Sequence, residues 1–251
     1  MFVTEAQERE RRKAGGPVES AMPEIPWHKA PKAEARPPLS RAAIVDAGIR
    51  ILDAEGLAGV TMRRVAQELG TGPASLYAHV SNKDELCELM LERISGEIPL
   101  PDRIDPARWK EQVLEVSLAA QRVFVQHRDI TLVSLGSIPM GANQLRIAEF
   151  LFGLLIGAGV PEQVAAWALD GLGQLIDTDA YESSLYADRL PPGTDTEAYF
   201  GKVQDYFAQL PPDRFPLLSS RAATMVGGDG DQRFAFKIEV FLRGLETFIG
   251  T

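Results

Sequence analysis

Apolar residues recur at every third or fourth position along most of the chain after residue 38, a spacing that predicts α-helices with one buried face. A first helix, with Ser40 as its N-cap, is indicated by Ile44, Ala47, Ile51 and Leu52, which share one such face. No segment shows the sustained alternation of β-branched residues that is typical of a half-buried strand. We therefore expect an all-α protein.

Several short helices follow in close succession. Thr61 is placed to cap a helix over residues 62–69, because its side-chain oxygen can accept a hydrogen bond from a free backbone N–H. Gly70 adopts the left-handed backbone of a tight turn at little cost, and Pro73 suits the first turn of a third helix. This layout predicts a helix-turn-helix, a motif whose second helix lies in the major groove of DNA.

A fourth helix is predicted to begin at Ser81 as N-cap, with Asp84 as its partner in a capping box. Pro99 and Pro101 then end this helix and mark a domain boundary. The sequence before residue 39 is rich in proline and poor in aliphatic residues, which is typical of a disordered segment.

These boundaries predict three parts of the chain. They are a disordered N-terminal arm over 1–38, a helix-turn-helix DNA-binding domain over 39–98, and an all-helical ligand-binding and dimerisation domain over 99–251. Basic residues in the arm suit contact with a DNA backbone, but neighbouring acidic residues largely cancel their charge, so a solvated tail is favoured.

The net charge of the whole chain is −9, which disfavours indiscriminate binding to nucleic acid. Residues 61–83, in contrast, contain three basic side chains and one acidic side chain. Screening confines the effect of exposed charges to about 8–10 Å, so DNA phosphates would meet this local surplus.

Cysteine usage and hydropathy predict the compartment. The chain contains 1 cysteine, so an internal disulfide framework is excluded. The N-terminus lacks the apolar segment of a secretory signal, and no apolar run approaches the roughly 18–20 residues of a membrane helix. We expect a cytoplasmic protein with no membrane partner.

Side chains around the predicted turn have the chemistry to contact DNA. Thr61 and Arg63 lie at a helix N-terminus, where free N–H groups and the positive end of the helix dipole attract phosphate. Ala74 and Ser75 begin the predicted recognition helix, whose exposed start meets base edges. The remaining candidates, which suit phosphate, are Tyr77, His79 and Lys83. For any one of these side chains taken alone, a solvated surface position is the favoured interpretation.

The stretch 40–97 resembles the DNA-binding domain of the tetracycline-repressor (TetR) family. The segments that carry the resemblance are 42–47, 55–57, 60–63, 65–70, 75–80 and 83–86. The resemblance covers about a quarter of the chain and is highly specific. The C-terminal domain resembles the same family more weakly, through its helix layout.

The resemblance implies a homodimeric transcriptional regulator, usually a repressor, whose C-terminal domain binds a small effector that releases DNA. By position, it implies that the DNA backbone is contacted by Thr61, Arg63, Tyr77, His79 and Lys83, and that bases are read near Pro73, Ala74 and Ser75. Because the start of the recognition helix offers few hydrogen-bond donors, Arg63 or Arg64 is expected to carry more of the base readout, bidentate to guanine.

Two helical faces near the C-terminus are candidates for a dimer interface. The helix after Pro161 mixes small and large residues, and the last helix has an aromatic and aliphatic ladder in steps of four and three. The predicted interface residues are Val164, Ala168, Gly171, Leu175, Phe234, Ile238, Phe241, Leu245 and Phe248. Two helices from each subunit would form a four-helix bundle. The alternative is that both faces pack inside one subunit.

An effector pocket is expected among the C-terminal helices, with apolar walls and a few polar groups. The candidate residues are Trp109, Phe124, His127, Phe150, Trp167, Asp170, Gln174 and Asp177. The three polar residues of the later helix are spaced by four and three, so they share a face that is either exposed or lines a cavity. For His127 a satisfied position in the core is the favoured alternative.

Two other classes of protein compete with this hypothesis. An all-helical enzyme would need a catalytic set, but the chain has 3 histidines, 1 cysteine and no recognisable nucleophile or zinc motif. A helical adaptor without DNA binding is disfavoured by Arg63, Tyr77, His79 and Lys83. An activator or a co-repressor-dependent regulator remains an alternative within the same family. We expect no enzyme activity, no metal site and no cofactor, and a largely hydrophobic effector.

Overall fold

The computed structural model describes residues 38–189 and 196–250, and within these ranges every regular element is helical. The first four α-helices are α1 (Arg41–Glu55), α2 (Met62–Glu68), α3 (Pro73–Leu76) and α4 (Lys83–Ser95). The all-α prediction is confirmed. The predicted arm over 1–38 lies, except for Pro38, outside the described residues.

Eight further α-helices are described in the rest of the chain. They are α5 (Trp109–Gln126), α6 (Thr131–Leu135), α7 (Ala142–Gly157), α8 (Glu162–Arg189), α9 (Thr196–Ala208), α10 (Pro216–Ser220), α11 (Ala222–Val226) and α12 (Gly230–Glu246). Single 3₁₀ turns at Pro106–Arg108 and Arg128–Ile130 precede α5 and α6. None of the described helices is long and apolar enough to span a bilayer.

Short polar side chains begin the first two helices. The hydroxyl of Ser40 accepts a hydrogen bond from the N–H of Ala43 at 3.2 Å. The hydroxyl of Thr61 accepts one from the N–H of Arg64 at 3.1 Å. Each bond satisfies a backbone donor that a helix leaves free at its start, so both predicted caps are confirmed.

The predicted cap of α4 is wrong by one residue. The side chain of Asn82 accepts a hydrogen bond from the N–H of Glu85 at 2.8 Å and so caps the helix. Ser81 lies outside the helix, and its backbone N–H donates to the Glu85 carboxylate at 2.6 Å. The acidic partner at the helix start is therefore Glu85, in place of the predicted Asp84.

The core of the C-terminal half forms where α5, α8 and α12 pack together. Phe234, Ile238 and Leu245 lie on the inner face of α12 and are buried within the subunit, as is Ala168 of α8. This corrects the prediction that these four residues form the dimer interface. Their side chains supply the hydrophobic contact that holds α12 on its own chain.

Helix α4 connects the two predicted domains. It packs against α1 on one side and against α5, α6 and α7 on the other. The described helices from Leu39 onward therefore share one packed unit. The predicted division at residue 98 falls in the loop that follows α4 and stays a prediction.

Candidate DNA-binding surface and ligand cavity

The turn between α2 and α3 has the geometry of a helix-turn-helix. Gly70 has a φ angle of 63°, in the left-handed region that costs glycine little. Val65, Ala66 and Leu76 are buried between the two helices. Their burial fixes the angle between α2 and α3 and leaves the opposite faces of both helices exposed to solvent.

Most of the predicted DNA contacts lie on this exposed side. The exposed residues are Thr61, Arg63, Pro73, Ala74, Ser75 and Tyr77. Tyr77 is 54% exposed, so its ring and hydroxyl are accessible to a DNA backbone. His79 is half-buried, because the turn after α3 packs against the start of α1.

Lys83 has a role that the sequence did not reveal. Its ammonium group donates to the carbonyl oxygen of Leu57 at 3.3 Å, in the loop between α1 and α2. This bond uses one of the three donors of the ammonium group, so fewer remain for a DNA phosphate.

Two adjacent arginines on α2 have different surroundings. Arg64 forms ion pairs with Glu55 at 2.8 Å and with Glu68 at 3.0 Å. Its hydrogen bonds to Glu55 and then to Glu68 raise the pKa of Arg64. Arg63 is exposed and has no hydrogen bond or ion pair with another described residue. Of the two predicted base-reading side chains, the structure therefore leaves Arg63 free and uses Arg64 to join α2 to α1.

Arg41 adds a cation to this surface that sequence reasoning missed. Its Nε donates to the carbonyl oxygen of His79 at 3.0 Å, and its side chain is 61% exposed. Thirty-eight residues separate the two in sequence. The signal in the sequence was the basic residue directly after the Ser40 cap, where a phosphate would also be favoured.

A cavity of about 390 Å³ lies among α4, α5, α6, α7 and α8. Apolar side chains form most of its wall, with Phe124 and Leu151 among them, and a few polar groups from α6, α7 and α8 point into it. Its volume and lining match those of sites that bind drug-sized molecules. The exposed side chains of Asp170 and Gln174 mark its mouth.

Four of the eight predicted effector residues line this cavity, namely Phe124, Asp170, Gln174 and Asp177. The other four do not. Trp109 is buried in the core, Phe150 packs against the core elsewhere, and Trp167 is 68% exposed on the outer side of α8.

His127, the last of these four, is a satisfied structural residue. Its Nδ1 lies 2.9 Å from the carboxylate of Asp53 in α1, and its Nε2 lies 3.3 Å from that of Glu97 after α4. The ring is buried and ties the end of α5 to the DNA-binding helices. His127 therefore takes the satisfied core position that the sequence analysis favoured over a contact with the effector.

Asp177 is the buried ionisable group of the cavity wall. It is 6% exposed, and burial raises its pKa to about 6, while a hydrogen bond from Ser134 acts in the opposite direction. Desolvation disfavours the charged form of a carboxyl group, which explains the direction of the shift.

The remaining predicted interface residues lie towards the outer side of α8 and α12. Val164, Gly171, Leu175 and Phe241 are half-buried, and Phe248 is 45% exposed. Gly171 allows the close approach of Phe241, because a Cβ there would come within 3.0 Å of the ring. This shallow apolar face is therefore available to a partner molecule.

A helix-turn-helix with an exposed basic face, joined to a helical body with a ligand-sized cavity, defines a ligand-responsive DNA-binding transcriptional regulator. The family described as "Tetracyclin repressor-like, C-terminal domain" matches residues 100–249, and "Bacterial regulatory proteins, tetR family" matches residues 44–90. The chain belongs to the TetR family. Its partners are operator DNA, a small-molecule effector and a second copy of the chain.

Relatives and solved structures agree with this assignment. The chain is 30% identical to the HTH-type transcriptional repressor DrrR1 of Streptomyces coeruleorubidus, over 90% of this chain and 85% of that protein. It is 26% identical to the class D tetracycline repressor of Escherichia coli, over 83% and 89%. The structure of Streptomyces coelicolor ActR in complex with actinorhodin matches with a TM-score of 0.76 at 36% identity, over 86% of this chain and 100% of that one.

Proposed function

We propose that the protein is a repressor that binds a palindromic operator as a dimer and releases it when an effector enters the cavity. The observation that carries this proposal is the cavity of about 390 Å³ behind the helix-turn-helix, on a fold whose relative ActR is described in complex with actinorhodin and with (S)-DNPA. The relative DrrR1 is described as a repressor.

In this proposal α3 lies in the major groove and its exposed start meets base edges. Pro73 and Ala74 offer apolar contact, for instance with a thymine methyl group, and Ser75 offers a hydroxyl. Arg63, as the free arginine, supplies the strongest donor. Tyr77, Arg41 and, in part, Lys83 contact phosphates.

A short segment of the chain supports coupling between the cavity and the DNA-binding helices. At one end, Ser134 and Leu135 line the cavity, and Ser134 bonds to Asp177. At the other end, Asp129 accepts the backbone N–H of Leu57 at 3.1 Å. A ligand that moves α6 therefore pulls on the loop between α1 and α2.

Lys83 holds the same loop from the opposite side through the Leu57 carbonyl oxygen, at 3.3 Å. The loop is thus clamped between the C-terminal body and the start of α4. Displacement of this loop changes the distance between α3 of one subunit and α3 of its partner. Two operator half-sites about 34–36 Å apart are bound together only when that distance is kept.

The outer face of α8 and α12 is the proposed dimer contact. Trp167 extends this face, which also carries Gly171 and Phe241. With the inner face of α12 buried in its own subunit, we reassign the interface to these outward residues. The proposal also includes a cytoplasmic location, where bacterial DNA lies, and no enzyme activity.

Operator binding tests the proposal. Fluorescence anisotropy of labelled duplexes from the DNA flanking the gene should reveal at least one fragment bound far more tightly than a scrambled duplex at moderate salt. Affinity should fall steeply as salt rises, because phosphate contacts release counterions. If every flanking fragment binds no better than the scrambled duplex, the proposal is wrong.

A further inference from the structure

We propose that the effector is an apolar molecule that carries a positive charge, as a protonated amine or a quaternary ammonium group, and that the Asp177 carboxylate binds this charge inside the cavity. This inference rests on the proposed function, since it takes the cavity as the effector site. It is derived from the charges that face the cavity.

The side chains that line the cavity include two acidic groups and no lysine, arginine or histidine. Asp177 lies deep in the wall and Asp170 lies at the mouth, where Gln174 donates to it at 3.0 Å. Arg146 of α7 is near but outside the wall, and its guanidinium donates to the carbonyl oxygen of Ile98 at 2.9 Å. A carboxylate or phosphate ligand would therefore meet negative charge without a cation to balance it.

The N-terminus of α7 is a second place that favours an anion, because a helix dipole is positive there. Glu92 of α4 already occupies it. Its carboxylate accepts the N–H groups of Asn143 at 2.7 Å and of Gln144 at 3.3 Å. Gly141 permits this approach, since a Cβ at that position would overlap the Glu92 carboxylate. The positive end of α7 is thus neutralised within the protein.

Asp177 lacks a cationic partner among the described residues. The hydroxyl of Ser134 is its hydrogen-bond partner, and burial raises its pKa to about 6. At neutral pH this group is largely ionised inside an apolar wall, which is costly unless an opposite charge is supplied. A cationic ligand provides that charge, and the low local dielectric strengthens the attraction.

The rest of the wall determines the body of the ligand. Phe124, Ile147 and Leu151 present apolar surface, so an aromatic or aliphatic body is favoured over a sugar or a peptide. A bare metal ion does not fit, because no three acidic, histidine or cysteine side chains come together among the described residues.

A matched series of fluorescent probes tests the inference in the full-length protein at pH 7.5. The probes are 9-(aminomethyl)anthracene, 9-anthracenemethanol and anthracene-9-carboxylate, which share one ring system and differ in charge. Fluorescence anisotropy should show the amine binding at least about tenfold more tightly than the alcohol, with the carboxylate weakest. In Asp177→Asn the advantage of the amine should fall below about twofold, while the alcohol binds as before.

The control is Glu162→Gln, which removes the same charge from the exposed first turn of α8, outside the cavity. It should leave the order of the three probes unchanged, which separates a local contact from the net charge of −9. The inference is overturned if the carboxylate binds as well as the amine, if no probe binds, or if Asp177→Asn keeps the advantage of the amine. Operator binding without ligand is measured separately, and its failure would overturn the proposed function instead.

Discussion

Helices α2 and α8 each carry two like charges close together, and in both helices one has a partner of opposite charge inside the protein while the other does not. On α2, Arg64 pairs with Glu55 and Glu68, whereas Arg63 is exposed and unpaired among the described residues. On α8, Asp179 bonds to two side chains, whereas Asp177 faces the cavity with Ser134.

The two acids on α8 are both buried, at 6% and 8% exposure, so burial does not separate them. Their partners do. Asp179 accepts from Lys237 of α12 at 2.6 Å and from Gln121 of α5 at 3.1 Å, and it thereby holds three helices together. Asp177 does not join helices in this way, and its charge is buried without a cationic partner among the described residues, which costs free energy. We infer that in these two pairs of like charges the unpaired charge marks a contact outside the chain, and the paired one marks structure.

Asp177→Asn is expected to have the largest effect on stability. Between pH 3.8 and about 6 the folded protein holds a proton on Asp177 that the unfolded chain has released, so the free energy of unfolding falls as pH rises through this window. Above about pH 6 the carboxylate is charged in both states, and its burial lowers the free energy of unfolding by about 3 kcal/mol. The variant should therefore be more stable than wild type by about that amount at pH 8 and nearly equal at pH 4, in urea unfolding. A difference that does not change with pH would contradict this interpretation of Asp177.

Lys237→Met tests the paired acid of the same helix. It leaves Asp179 buried with Gln121 as its remaining partner, which should lower the free energy of unfolding by about 2 kcal/mol. The expected loss is below the roughly 3–5 kcal/mol of a fully buried pair, because the Lys237 side chain is 40% exposed. Urea unfolding measures the loss, and Lys237→Arg is the matched control. Equal stability of Lys237→Met and wild type would mean that Asp179 is not structural.

The smallest expected effect on stability is that of Arg64→Ala. The variant breaks two partly exposed ion pairs, so thermal unfolding should begin at a slightly lower temperature than in wild type. Arg63→Ala, one residue away, should leave the melting temperature unchanged. If Arg63→Ala is the more destabilising of the two, the comparison on α2 fails.

Local signals in the sequence predicted the fold well. The caps at Ser40 and Thr61 and the turn at Gly70 each depend on residues within one or two helical turns, and all three agree with the structure. The cap of α4 shows the limit of such signals. Ser81 and Asn82 are both good cap residues, and only the path of the chain decides that Asn82 takes the position.

The partners that charged side chains find on other helices could not be predicted, because helical periodicity does not say how the helices pack against one another. Arg63 and Arg64 are adjacent and identical in type, and the carboxylate of Glu55, in the preceding helix, distinguishes them. The cavity shows the same limit. Periodicity placed Trp167 and Asp170 on the same helix as lining candidates, but it does not say which side of α8 faces α7 and which faces solvent.

The most direct test of this account is operator affinity in Arg63→Ala and Arg64→Ala, measured by anisotropy on the flanking fragment that wild type binds. We expect Arg63→Ala to weaken binding by about ten- to a hundredfold, because it removes a free donor at the DNA surface, and Arg64→Ala to weaken it by less than about threefold. The opposite order, or equal losses in both variants, would contradict the claim that the unpaired charge is the one that meets the partner.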